Sequence, residues 1–310
     1  MSSKFIPILS CIMFLSGCGL TLAQKQQVAQ FATATESISL STQDRFKSTR
    51  DKVIELERRR LIMRNEAPPN NLDIDGGLSA TGIATQIATL KALQSYGDVL
   101  NKLALNDQSE EISKAATELA TQYEAAMKIH DSGYTLDNDK KEAALGIVNI
   151  AGSWFVESEK KKHMQNIVKA YSPDVDKLSK LLINDLTLVE DSLCIDEKKR
   201  KKQVTKTGVI DIYCTSADAL KEKSSDVLKT EGFSFAEREF AYDSYVLAQQ
   251  AIEEILILSE QGGKVVAKLS EANDKLSKVI ESDKFKTEDI KAYAQQVNEL
   301  QTLTKILIGK

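Results

Sequence analysis

The stretch "AQQAIEEILILSEQGGKVVAKL", Ala248 to Leu269, decides how this chain folds. Its apolar or small residues recur at Ala248, Ile252, Ile255, Gly262, Val266 and Leu269. Steps of three, four and seven trace one face of an α-helix, whereas a strand would alternate at every second residue. The same spacing reaches back to Ala241 and Tyr245 and forward to Leu276 and Val279. Ser234 and Glu237 form a capping box ahead of it. The pattern therefore predicts one very long helix over 235–281. Gly262-Gly263 lies within it. Each glycine costs about 1 kcal/mol relative to alanine inside a helix, so the pair marks a kink or a tight crossing.

A second very long helix is predicted over 22–64. Its stripe runs Val28, Phe31, Thr35, Ile38, Thr42, Phe46, Thr49, Val53 and Leu56, then Arg60 and Met63. This is heptad-like, with a stutter at Thr42 to Phe46. A stripe rich in Thr and poor in Leu suits a helix laid against a larger bundle better than an isolated zipper. Two helices of this length make the molecule elongated.

Shorter helices are predicted between and after them. One covers 79–105, with Ile83, Ile87, Leu90, Leu93, Leu100 and Leu103 inward. Another starts at the Asp107–Glu110 capping pair and runs to about His130, with Ile112, Ala116, Leu119, Tyr123 and Ala126 on one face. A third, 139–171, contains "AALGIVNIAGSWFV", Ala143 to Val156, which is apolar nearly all round and is expected at the bundle centre together with Trp154. Ser172-Pro173 reads as an N-cap followed by proline at the first helical position, opening a helix to about Leu193. The last two are predicted at 216–230 and 287–307. The exception is "QVTKTGVIDIY", Gln203 to Tyr213, where β-branched and polar residues alternate around Thr207-Gly208. It reads as a short β-hairpin or a plain loop. The fold class predicted is all-α: an elongated multi-helix bundle with two very long helices and one small insert.

The N-terminus carries a different signal. Lys4 precedes an eleven-residue, largely apolar segment, Phe5 to Leu15. A bilayer span takes about 20 residues, so this segment has the size of a secretory signal. Leu15-Ser16-Gly17-Cys18 then resembles the lipobox of bacterial lipoproteins. The resemblance covers only the first 18 residues, and none is found for the rest. It implies that residues 1–17 are removed, that the Cys18 thiol receives a diacylglyceryl group, and that the new α-amine is acylated. Several acyl chains anchor stably where one is marginal. Residues 18–310 are then the helical-bundle domain. Gly19, rather than Asp, after the cysteine is similar to lipoproteins of the enterobacterial outer membrane. That implies an outer-membrane anchor facing the periplasm, with exposure at the cell surface as the alternative.

In that setting the four cysteines sort themselves. Cys11 leaves with the signal and Cys18 carries lipid, so Cys194 and Cys214 remain. An isolated pair in an oxidising compartment forms a disulfide, contributing about 3 kcal/mol for a loop of this size; the alternative is two buried thiols. The enclosed segment, 194–214, contains five successive cations: Lys198, Lys199, Arg200, Lys201 and Lys202. Such a run is a candidate contact patch for anionic polymers or lipid head groups, or else an exposed, self-repelling loop. Removing residues 1–17 takes away Lys4 alone among charged residues, leaving 40 basic against 45 acidic residues, a formal charge of −5. A mildly acidic chain is not an overall nucleic-acid binder.

The catalytic inventory is poor. The two histidines, His130 and His163, have no second His or Cys at ligand spacing, and both are expected at the surface. No G-x-S-x-G, H-E-x-x-H, P-loop or G-x-G-x-x-G motif occurs. Glu110-Glu111 and Glu253-Glu254 read as solvated charge, and Arg58-Arg59-Arg60 as a run neutralised locally by Glu55 and Glu57. The expectation is a lipid-anchored, non-catalytic envelope protein without a cofactor. It would act as scaffold, adaptor or assembly factor, its partners the membrane through Cys18 and other envelope proteins. The alternatives are a membrane-acting protein similar only in outline to α-helical pore-forming toxins, and a periplasmic sensor or ligand-binding bundle.

Overall fold

The computed structural model describes residues 19–65, 77–106, 108–130, 132, 135, 137–148, 157–189, 192–195 and 208–281, and positions 288, 290–292, 294, 295, 297–299 and 302. Among these residues lie seven continuous helices and no strand: α1 (Leu22–Met63), α2 (Ala80–Leu105), α3 (Ser109–His130), α4 (Asn138–Val148), α5 (Glu157–Leu186), α6 (Val209–Lys229) and α7 (Phe235–Glu281).

The two long helices form as their stripes require. Thr21 caps α1: its hydroxyl accepts from the Gln24 N–H at 3.2 Å, and the Gln24 side chain accepts from the Thr21 N–H at 2.8 Å. Every stripe position from Val28 to Leu56 is buried, while Arg60 and Met63 are half-buried. At the start of α7 the Glu237 carboxylate accepts from the Ser234 N–H at 2.7 Å, and Ser234 Oγ accepts in return from the Glu237 N–H at 3.4 Å. The α7 stripe is buried throughout except at the half-buried Tyr245.

The two helices run antiparallel. Gln24 Nε2 donates to the Val279 carbonyl at 2.7 Å, Arg45 pairs with Glu254 at 2.6 Å, and the Arg59 guanidinium lies 5.4 Å from the centre of the Phe240 ring. At 1.5 Å per residue they are about 63 and 70 Å long. The remaining helices divide that length into two tiers. Helices α2 to α5 pack along the half that holds the N-terminus of α1 and the C-terminus of α7, while α6 packs beside α1 and α7 in the other half. In the larger tier Tyr96 is fully buried and donates to Asn273 Oδ1 at 3.0 Å, and Asn273 Nδ2 donates to Ser172 Oγ at 2.7 Å. One residue thus ties α2, α7 and α5 together. Tyr123 and Tyr171 meet edge to face at 4.9 Å, joining α3 to α5.

Four boundaries differ from the sequence reading. The helix expected over 139–171 appears as α4 to Val148 and α5 from Glu157, and residues 149–156, with Trp154, lie outside the described residues. Ser172-Pro173 does not open a helix, because α5 runs through it. Proline there removes one backbone hydrogen bond and costs about 3 kcal/mol. Pro173 faces solvent, however, while Tyr171, Val175 and Leu178 on either side are buried, and their packing holds the helix together. Finally, "VIDIY" is no strand: it is the first turn of α6, with Val209, Ile210, Tyr213 and Cys214 buried at helical spacing, while Gln203 to Thr207, the rest of that segment, lie outside the described residues. The helix predicted at 216–230 therefore starts seven residues earlier, and α5 stops at Leu186 rather than Leu193. The Asp107 capping position lies outside the described residues.

Gly262-Gly263 is a tight crossing without a break. A Cβ at Gly262 would lie 3.2 Å from Leu186 Cβ, and one at Gly263 2.8 Å from Thr187 Cγ2, so the end of α5 rests on α7 there. Gly208 is tighter still, since a Cβ would fall 2.0 Å from the Asn184 carbonyl oxygen. Gly232 makes the contrast: its φ is +98°, but nothing lies within 4 Å of its Cβ position. Gly208→Ala is expected to destabilise the protein by about 3 kcal/mol or more, as overpacking against backbone does. Gly232→Ala should cost only about 1 kcal/mol, the conformational term alone. Urea midpoints of the two variants test the order.

Candidate functional site

The segment joining α5 to α6 crosses α7 at the tier boundary and is pinned along its first part. The Leu188 N–H donates to Ser259 Oγ at 2.8 Å and the Val189 N–H to Asp211 Oδ1 at 3.3 Å. Cys194 and Cys214 are joined in a disulfide with their Cα atoms 5.9 Å apart, within the range such a bond requires. The Cys194 N–H points at Cys214 Sγ, 3.1 Å away, and Ser192 Oγ lies 3.3 Å from the same sulfur. On the far side α6 begins at Gly208, which has no side chain to cap it. The Asp185 carboxylate does so across space, accepting from the Val209 N–H, with Gln86 Nε2 at 3.4 Å from Asp185 Oδ1. Burial pushes the Asp185 carboxyl up to about 6 against those two hydrogen bonds. Both ends of the insert are therefore fixed. Its basic run, Lys198, Lys199, Arg200, Lys201 and Lys202, lies outside the described residues, as does Cys18. Leu20, two residues after Cys18, is buried in the core.

A second constellation sits where α1, α6 and α7 meet. Glu254, expected on the surface, has only 11% of its side chain exposed. Arg45 Nη2 donates to it at 2.6 Å, Lys52 Nζ at 2.6 Å and Tyr213 Oη at 3.4 Å. Burial pulls the Arg45 guanidinium below its ordinary value, with Glu254 opposing, and raises the Tyr213 phenol, with Glu254 adding to the rise. Tyr213 therefore stays neutral and donates. Above this hub opens a cleft of about 490 Å³, floored by Leu56, Leu247, Ala251 and Ile257 and edged by Glu55 and Glu253. Its size falls in the range of small-molecule pockets.

The Arg58-Arg59-Arg60 run is neutralised as its sequence suggests. Glu55 accepts from Arg58 and Arg59, and Glu57 from Arg60. Arg59 also donates to Ser244 Oγ at 3.3 Å, tying the end of α1 to α7. His163 departs from expectation: it is buried on α5, and burial lowers its pKa, so it is held neutral in the core. His130 ends α3. Among the described residues no three His, Cys, Asp or Glu side chains converge as metal ligands, and no helix is long and apolar enough to cross a membrane.

Periodicity carried one clue to the hub. Glu254 follows Ala251 by three and precedes Leu258 by four, all on the buried side of α7. Its partners, more than 200 residues away on α1, become visible only once the two helices are in register.

Glu254→Ala would leave Arg45 buried and uncompensated, and is expected to cost about 3–5 kcal/mol in urea unfolding. Lys52→Ala, at a side chain 36% exposed, should cost under about 1 kcal/mol. The double replacement Arg45→Met with Glu254→Leu should recover most of the single-site loss. Asp185 gives a pH signature. Its folded-state pKa is raised, so the stability it contributes is complete below about 3.8 and is lost as pH rises through about 6. Discounted for its partial exposure, Asp185→Asn should stabilise the protein by about 1–2 kcal/mol at pH 7. The difference should vanish near pH 4, as read from unfolding curves at both pH values.

No family model matches this chain, and neither a curated protein nor a solved structure matches it.

Proposed function

We propose that this protein is a lipid-anchored, non-catalytic scaffold or adaptor of the bacterial envelope, held by acyl chains on Cys18 and working through protein–protein contacts. One observation carries the reading. The lipobox cysteine is followed within two residues by the buried Leu20 and within three by Thr21, the cap of α1. Two residues span at most about 7 Å, so an anchor at Cys18 would have almost no slack. The larger tier would sit against the membrane, with α6 and the start of α7 directed away from it. A rigid stand-off is what an adaptor needs to present a surface at a set height.

The contact surface favoured by the sequence is the basic insert between Cys194 and Cys214, mounted on two fixed ends. A second reading, a ligand-binding bundle, draws on the cleft above Glu254. In that case Leu247→Trp and Ile257→Trp would abolish ligand binding and leave partner contacts intact.

Metabolic labelling with an alkyne-tagged palmitate should mark the wild-type protein and leave Cys18→Ser unlabelled, with the variant moving to the soluble fraction. Labelling that persists in Cys18→Ser would end the anchoring proposal. Neutralising Lys198 to Lys202 together should reduce recovery of crosslinked envelope proteins at least tenfold, and unchanged recovery would exclude the insert as the contact surface.

A further inference from the structure

Arg45 is satisfied on one side only. Its Nη2 holds Glu254 at 2.6 Å, while its Nε and Nη1, both buried, have no hydrogen-bond partner among the described residues. The residue is 5% exposed. A buried donor without an acceptor carries its full desolvation cost, and native proteins rarely leave one so. Arg45 also lines a second, narrow cavity of about 20 Å³ on the α5 side, separate from the cleft above Glu254. Ser41 and Thr42 complete its polar wall, and Leu186, Ile210 and Leu258 close the rest. A space of this size takes one water-sized or monatomic species, the threshold being about 10–15 Å³.

Charge and donor count say which. Two cations, Arg45 and Lys52, share the single carboxylate of Glu254, and Tyr213 is neutral, so the hub carries one net positive charge. No acidic side chain lines the small cavity. Arg45, which lines the cavity, has two nitrogens whose hydrogens are unclaimed among the described residues, and Thr42 is a second polar residue of its wall. The Ser41 hydroxyl is already spent on the Ile38 carbonyl at 3.2 Å. A water there could accept from two donors at most and would leave the positive charge uncompensated. An anion accepts from every donor and offsets the charge.

We propose that this cavity is a binding site for a monatomic halide, chloride in the cell, held by Arg45 Nε and Nη1 with the Thr42 hydroxyl. The ion would fill the joint where Leu186 ends α5 and Gly262 lets it rest on α7. This site is independent of the anchoring and adaptor reading.

Thermal unfolding of the purified protein in sodium chloride and in sodium gluconate, at equal ionic strength, tests it. Binding to the folded state alone should raise Tm saturably with chloride, by about 2 °C or more. The difference between the salts should shrink in Arg45→Lys and disappear in Arg45→Met. Crystals of the wild-type protein grown in sodium bromide should show an anomalous peak in the cavity beside Arg45, a readout that does not need the variants to fold. Equal Tm in the two salts overturns the proposal, as does a water at that position with no anomalous signal.

Discussion

The structure depends on the register between α1 and α7, which run antiparallel and are joined along their length by the helices between them: α2 lies along α1, α5 along α7, and α6 against both. The buried face of α1 is short of large apolar residues, with Thr35, Ser39, Thr42 and Thr49 at buried positions. Such a face tolerates sliding better than a leucine seam would. Register is fixed instead by contacts of particular polar and charged side chains. Gln24 meets the Val279 carbonyl near one end, Arg45 and Lys52 meet Glu254 in the middle, and Arg59 meets Phe240 and Ser244 near the other. Burying charge contributes little net stability, but a shift by one helical turn would strand Arg45 in the core without its carboxylate.

The tier boundary follows from that register. Helix α2 begins and α5 ends near the place where the small residues of α7 allow the α5–α6 connection to cross, and α6 takes over beyond it. Asn273 on one side of the boundary and Glu254 on the other play parallel parts, each joining three helices through one α7 side chain. The disulfide lies next to this crossing and secures the connection at the point where the chain changes tier.

How much of this was legible beforehand depended on whether the signal was local. The stripes of α1 and α7, the Ser234–Glu237 box and the crossing at Gly262-Gly263 lie within a few turns of chain, and the sequence states them directly. Pro173 misled because a proline opening a helix and a proline tolerated on a solvent face look alike locally; what separates them is the burial of Tyr171 and Val175 against other helices. "VIDIY" misled because β-branched alternation dominates any short window. Extending the window shows Ile210, Tyr213, Ala217, Leu220 and Val227 at helical spacing. Glu254 reads as a surface residue because, although its spacing from Ala251 and Leu258 puts it on the buried side of α7, its partners Arg45 and Lys52 come from a distant segment.

Neither α1 nor α7 is interrupted where α5 gives way to α6, and this sets the mechanical character of the molecule. A load applied at the α6–α7 turn and resisted at the start of α1 would run along two continuous rods. Sliding one past the other would also shear the packing of α2 on α1, of α5 on α7 and of α6 on both, rather than peel it turn by turn. The body therefore has no built-in elbow at its waist. What happens at one end should reach the other as displacement of a stiff lever, with bending confined to the connections outside the two rods.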